Sequence, residues 1–198
     1  MHNESCTENL AFPIIGKELP FTELDIFHEN EIKKIHLNDY LGQWVILFFY
    51  PADFTFICPT ELKELAENYK EFQNLNTEII SVSTDTVFTH KAWHDTSPII
   101  NKIKFPMAAD PSAKLSKQLG AYVNFDGFNL RVTVLVDPEG IIRVYEMNDS
   151  SIGRNVKELL RKLRAAQFVR ENGGEVCPAS WEPGMASLKP SLALVGKI

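Results

Sequence analysis

The chain has 198 residues, 44% hydrophobic and 23% charged, with a net charge of −6. That length can bury a sizeable core, and the acidic balance argues against general binding to nucleic acid or to an anionic membrane surface. The longest apolar run, Trp44 to Tyr50, is far too short to cross a bilayer.

In chain order, the first forty residues hold Pro13, Gly16 and Pro20 among scattered apolar residues and read as short strands and turns. Met1 to Cys6 lack a basic segment followed by an apolar one, so no signal peptide is expected and a soluble, cytoplasmic protein is. Trp44 to Tyr50 is a buried strand, Pro51 starts a turn, and Leu62, Leu65, Ala66, Tyr69 and Phe72 form the apolar stripe of a helix beginning beside Cys58. Glu78 to Ser83 is a second core strand. Thr84-Asp85-Thr86 suits the N-cap of a helix running from Phe88 to Trp93. Strand–helix–strand–helix of this kind implies parallel βαβ units. Phe105 to Ala109 is a further strand, after which Ser112 is expected to cap a short helix through Leu119. Leu130 to Val136 and Ile141 to Tyr145 flank Asp137-Pro138-Glu139-Gly140, whose turn chemistry predicts an antiparallel hairpin. Val156, Leu159, Leu160, Leu163 and Ala166 give a helix from about Gly153 to Arg170, ended by Gly173-Gly174. The basic cluster Arg161, Lys162 and Arg164 falls on its polar side as a solvated face.

A βαβ half followed by a ββα half predicts an α/β, thioredoxin-like fold, a central mixed sheet flanked by helices. The expected organisation is one domain over residues 1–172 and an extended C-terminal arm, 173–198, carrying Cys177 and Trp181.

The three cysteines, Cys6, Cys58 and Cys177, are widely spaced with no C-x-x-C, which fits neither a disulfide scaffold nor a zinc site. Cysteine is most often a small buried hydrophobe. Cys58 differs in standing at the start of a helix, before Pro59, where unpaired backbone N–H groups and the helix dipole favour a thiolate. Such surroundings move a thiol from ~8.5 toward or below neutrality. Thr55, three residues earlier, can present its hydroxyl to the sulfur and to the oxygens of a bound peroxide. Arg131 opens a predicted core strand, either as a strand-end side chain reaching water or as a cation beside Cys58 that steadies charge on a departing oxygen. Cys177 is either tucked against Trp181 or an exposed thiol on a mobile arm, suited to attacking a sulfenic acid at Cys58.

In these residues the chain resembles the typical two-cysteine peroxiredoxins and, among them, the peroxidase component of bacterial alkyl hydroperoxide reductases. The likeness is clearest in Phe49-Tyr50-Pro51-Ala52-Asp53-Phe54-Thr55-Phe56-Ile57-Cys58-Pro59-Thr60-Glu61-Leu62. It continues in Ser83-Thr84-Asp85, Thr89 to Trp93, Gly174 to Ala179 and Leu194 to Ile198. It implies that Pro51, Thr55, Cys58 and Arg131 form the peroxidatic site and that Glu61 and Arg154 support it; from the residues alone these two read as a helix-start carboxylate and a surface charge. It implies further that Cys177 of a partner subunit resolves the sulfenic acid as an intersubunit disulfide, after the first helical turn unwinds. The implied substrates are hydrogen peroxide and organic hydroperoxides, with no metal, flavin or haem cofactor. The implied partners are a flavoprotein disulfide reductase or a thioredoxin-type reductant and a homodimer, often in a ring of five dimers.

The chain also departs from the pattern. Ser97 to Lys104 lacks the Gly-Gly-Leu-Gly segment, and Ser191 to Ile198 lacks the Tyr-Phe, of relatives sensitive to over-oxidation, so a robust enzyme is expected. Val132 replaces a smaller residue behind Arg131, and Cys6 matches nothing in the pattern. His90 and His94 have a spacing that can bind zinc, but with no acidic or cysteine ligand close in sequence a packed helix is the reading. The rival functions are a thioredoxin-type oxidoreductase, disfavoured by the missing second cysteine, and a ring-shaped holdase or peroxide sensor.

Overall fold

The computed structural model describes residues 13–197, and the chain divides into two compact units, with the boundary between Arg154 and Asn155. The first opens with a hairpin of β1 (Glu23–His28) and β2 (Glu31–His36). There follow β3 (Trp44–Phe49), α1 (Cys58–Asn74), β4 (Thr77–Ser83), α2 (Val87–Thr96), β5 (Met107–Ala109) and α3 (Lys114–Gln118). A two-stranded ribbon, β6 (Tyr122–Val123) with β7 (Phe128–Asn129), precedes β8 (Arg131–Val136) and β9 (Ile142–Asn148).

Seven strands form one sheet in the order β2-β1-β5-β4-β3-β8-β9. β3 and β4 pair parallel, as do β4 and β5, so the two crossovers are α1 and α2 with the segment that follows it. β8 runs antiparallel to β9, as the turn residues Asp137 to Gly140 predict, and antiparallel to β3 as well. This is the mixed sheet of a thioredoxin-like fold, with α1 against β4 and α2 against β1 and β5.

All six residues of β3 and all six of β8 are buried, which is why both read as continuous runs rather than alternating ones. Successive side chains still point to opposite faces. Val45, Leu47, Phe49, Val132, Val134 and Val136 join Leu115 of α3 and Leu119 just after it in one core cluster. Their neighbours Trp44, Ile46 and Phe48, and Arg131, Thr133 and Leu135, face the other way. Arg131 therefore enters a buried face, next to a row of apolar side chains.

One expectation for the first unit is corrected. The α3 cap is Asp110, not Ser112: its carboxylate accepts from the N–H groups of Lys114 and Ser116, both at 2.8 Å, and from the Ser116 hydroxyl. Two carboxylate oxygens serve several donors at once, which one serine hydroxyl cannot. The β6–β7 ribbon was unanticipated, because two-residue strands carry no periodicity.

In the second unit, α4 spans Val156–Glu171 rather than starting at Gly153. Asn155 is extended and its side chain accepts from the Glu158 N–H at 3.1 Å, so the helix begins after it. Beyond α4 the chain turns through Gly174 at φ +89°, where a side chain would be strained, and Val176 pairs with Leu188. Trp181 is buried, with its ring 4.7 Å from that of Phe168. Arg161 is engaged by Glu158 and by the Trp181 carbonyl, so this part of the basic cluster is not a freely solvated face. Among the described residues no helix is long and apolar enough to cross a membrane.

Candidate active site

The site lies where β3 gives way to α1. Pro51 is buried at the turn, Phe54 takes a positive φ of 55°, and α1 begins at Cys58 with Pro59 second. The missing proline N–H still falls among the first-turn donors that lack an intrahelical partner. Cys58 has no exposed surface. Glu61, three positions on, shares its side of the helix and is 3% exposed.

Arg131 is 3% exposed, and the strand-end alternative is thereby excluded. Its Nε donates to the Ser150 carbonyl at 2.9 Å, and its Nη1 donates to Glu61 Oε2 at 2.7 Å and lies 3.5 Å from Cys58 Sγ. One guanidinium nitrogen thus joins the carboxylate to the sulfur.

Arg154 holds Glu61 from the other side. Its backbone N–H and Nε donate to Oε1 at 2.8 and 2.9 Å, and its Nη2 to Oε2 at 3.0 Å. The remaining nitrogen, Nη1, reaches the Val132 carbonyl and the Thr133 hydroxyl. The guanidinium carbon stands 3.2 Å from the centre of the Phe48 ring. Gly153 lets the chain pass close to α1, since a Cβ there would meet Ile57 Cγ2 at 3.4 Å. Burial works to raise the Glu61 carboxyl, but hydrogen bonds and charge from Arg154, with the charge of Arg131, hold it below the ordinary carboxylate range. Burial likewise lowers Arg154 against the opposing pull of Glu61. Glu61 does stand in the first turn of α1, but buried and paired, and the reading of Arg154 as a surface charge is overturned. Within hydrogen-bond reach the trio carries two positive charges and one negative, which leaves net positive charge beside the Cys58 sulfur.

Thr55 is half-buried and gives its hydroxyl proton to the Ala52 carbonyl at 2.8 Å, rather than presenting it to the sulfur. Its oxygen lone pairs remain for a substrate O–H. Cys177 is half-buried, not an exposed thiol, and lies 3.8 Å from the Ala165 carbonyl of α4. Burial pushes its thiol up from the ordinary range, with Arg161 pulling the other way. Cys6 lies outside the described residues. His90 is fully buried with both ring nitrogens engaged, by Asp53 at 2.7 Å and by the Ala108 carbonyl at 3.2 Å, which fits the packed-helix reading. The network of Tyr50, Asp53 and His90 beside the loop escaped sequence reasoning; the one signal was an aspartate in the turn between strand and helix.

Comparison with known proteins gives this geometry its family. The family model described as AhpC/TSA family matches residues 15–145, and that for the C-terminal domain of 1-Cys peroxiredoxin matches residues 165–195. The chain is 48% identical to alkyl hydroperoxide reductase C of Bacillus subtilis over 186 residues, covering 93% of this chain and 99% of that one. The crystal structure of Enterococcus faecalis AhpC superposes with a TM-score of 0.81 at 48% identity, over 83% of this chain and 99% of that one. The reduced 2-Cys peroxiredoxin of Plasmodium vivax superposes with a TM-score of 0.86 at 36% identity, over 90% and 94% of the two chains. A buried cysteine at a helix start under an arginine, in a thioredoxin-like sheet shared with these proteins, places the chain in the AhpC/TSA family: it is a peroxiredoxin, a thiol-dependent peroxidase.

Proposed function

We propose that Cys58 is the peroxidatic residue and that the substrates are hydrogen peroxide and organic hydroperoxides. The observation that carries this reading is the 3.5 Å approach of Arg131 Nη1 to a fully buried sulfur, with Glu61 holding that nitrogen at 2.7 Å. The Cys58 thiolate attacks the terminal peroxide oxygen. An S–O bond forms, the O–O bond breaks, and the departing oxygen takes a proton to leave as water or alcohol. Arg131 steadies the charge on the reacting oxygens, Thr55 accepts from the substrate O–H, and Pro51 shields the sulfur from water. Glu61 and Arg154 position Arg131. Cys177 of a partner subunit then attacks the sulfenic acid, forming a disulfide and releasing water.

The disulfide must be reduced by an external dithiol, of a flavoprotein disulfide reductase or a thioredoxin-type protein. The chain works as a homodimer, in a ring of five dimers, in the cytoplasm, with residues 173–198 as the arm that carries the resolving thiol. The test is intact mass and non-reducing electrophoresis after one equivalent of peroxide. A dimer linked through Cys58 and Cys177 is expected, absent in Cys58→Ser and in Cys177→Ser. Loss of the band in Cys6→Ser would move the resolving role to the N-terminal segment, and undiminished peroxide turnover in Cys58→Ser would refute the assignment altogether.

A further inference from the structure

We infer that Asp53 and His90 form a buried latch that holds the loop from Pro51 to Cys58 in its peroxide-ready place, and that the strength of this latch sets how readily Cys58 leaves its pocket for a second thiol. The inference rests on the roles proposed above for Cys58 and Cys177.

Both side chains have no exposed surface. His90 Nε2 faces the Ala108 carbonyl, which can only accept, so Nε2 carries a hydrogen and donates it. Nδ1 then faces Asp53 Oδ2 at 2.7 Å, and a single proton lies between them. The other carboxylate oxygen, Oδ1, accepts from the Tyr50 hydroxyl at 2.7 Å. Burial, with the charge of Asp53, pushes the Tyr50 phenol well above its ordinary range, so it stays a donor. Both ring nitrogens of His90 and both carboxylate oxygens of Asp53 are therefore engaged.

The connections show what the pair ties together. Asp53 belongs to the loop, His90 to α2, Ala108 to β5, and Tyr50 follows the last residue of β3. The Asp53 N–H donates to Asp85 Oδ2 at 2.9 Å, and that oxygen also accepts from the Ser83 hydroxyl at the end of β4. Asp53 is thus hydrogen-bonded to Tyr50, Asp85 and His90, and His90 in turn to Ala108 of β5. Next to Asp53, Phe54 sits at φ +55°, a conformation a bulky residue adopts only when its surroundings hold it. Its ring lies 5.9 Å from that of Trp93, which is 6.3 Å from that of Tyr50.

A fully buried Cys58 cannot meet a thiol from another segment until the loop and the first turn of α1 move. Any movement that carries Asp53 away leaves His90 Nδ1 and the Tyr50 hydroxyl without this partner in the core, which opposes it. The same fastening favours the first chemical step and hinders the second. Asp53 and His90 do not touch the sulfur; they are positioning residues.

The test uses the full chain and stopped-flow fluorescence of Trp93, the tryptophan against the loop. Asp53→Asn keeps the acceptor for Tyr50 and offers an amide to Nδ1, replacing a charge-assisted bond by a neutral one of about half the strength. The expected result is a peroxide step slower by about threefold to tenfold and a disulfide step faster by a similar factor. The fraction of sulfinic Cys58 at excess peroxide, read by intact mass, should fall. Asp53→Ala should exaggerate both shifts, and the Asn variant decides the matter if the Ala variant does not fold. A purely structural role would slow both steps together, or lower the melting temperature with neither step altered, and either result overturns the latch. Failure of the wild-type chain to consume peroxide would sink the proposed function and this inference with it. An intact wild-type cycle with unshifted Asn kinetics would sink the latch alone.

Discussion

Replacing Glu61 by Gln keeps the shape of the side chain and removes its charge at a point where Arg131 Nη1 and the N–H, Nε and Nη2 of Arg154 all converge. An amide has one acceptor oxygen. Turned one way it abandons the Arg154 backbone N–H and Nε, and turned the other way it abandons Arg131 Nη1 and Arg154 Nη2. Either way two arginines lose their common counter-charge in a site that is 3% exposed at Glu61. Removing one partner of such a buried set costs about 3–5 kcal/mol. For a chain of this length that corresponds to a fall in Tm of about 6–20 °C.

The pH dependence follows from the same contacts. Burial raises the Glu61 carboxyl, the Arg154 and Arg131 interactions outweigh it, and the folded value lies below the ordinary 4.5. A depressed carboxyl contributes stability that is present above its unfolded value and is lost as pH falls through the folded value. The wild-type chain should therefore lose this contribution on acidification below 4.5, while the Gln variant has none to lose. Urea unfolding at neutral pH and at a series of acid pH values measures both. The gap between the two proteins should be full at neutrality and shrink in acid. A gap under about 1 kcal/mol, the size expected of an exposed pair, would refute the reasoning, and so would a gap that does not change with pH.

Two further outcomes are expected. Arg131→Lys offers one ammonium where Nε holds Ser150 and Nη1 holds both Glu61 and the sulfur, so kcat/KM should fall by about 100-fold; steady-state turnover within about threefold of wild type would contradict the role of Arg131. Because burial pushes the Cys177 thiol up, the disulfide-forming step should accelerate as pH rises from neutrality through 9.0. A rate flat across that range in stopped-flow measurements would show that a different group limits the step.

Much of the fold was legible because it is written in local runs. Trp44 to Tyr50, Glu78 to Ser83 and Leu130 to Val136 carry enough apolar residues to read as core strands, and Asp137 to Gly140 has the chemistry of the turn it makes. The start of α1 was legible for the same reason, since a proline beside a cysteine marks a helix beginning. The cap of α3 was misread because an aspartate and a serine two residues apart are equally good caps on paper, and the number of donors each can serve is decided by the loop. Glu61 and Arg154 were legible only through family resemblance. They are 93 positions apart, and a lone charged residue reads by default as a surface one. His90 and Asp53, 37 apart, were hidden in the same way.

By its residues alone the chain determined which segments form strands and helices and that Cys58 stands at a helix start, because propensity, capping and periodicity act over a few neighbouring positions. Only the tertiary structure decided which charges surround that sulfur. Sheet register brings Arg131, 73 positions away, to 3.5 Å from it, and burial makes each contact strong enough to matter. Depth and distance of that kind arise from the packing of remote segments.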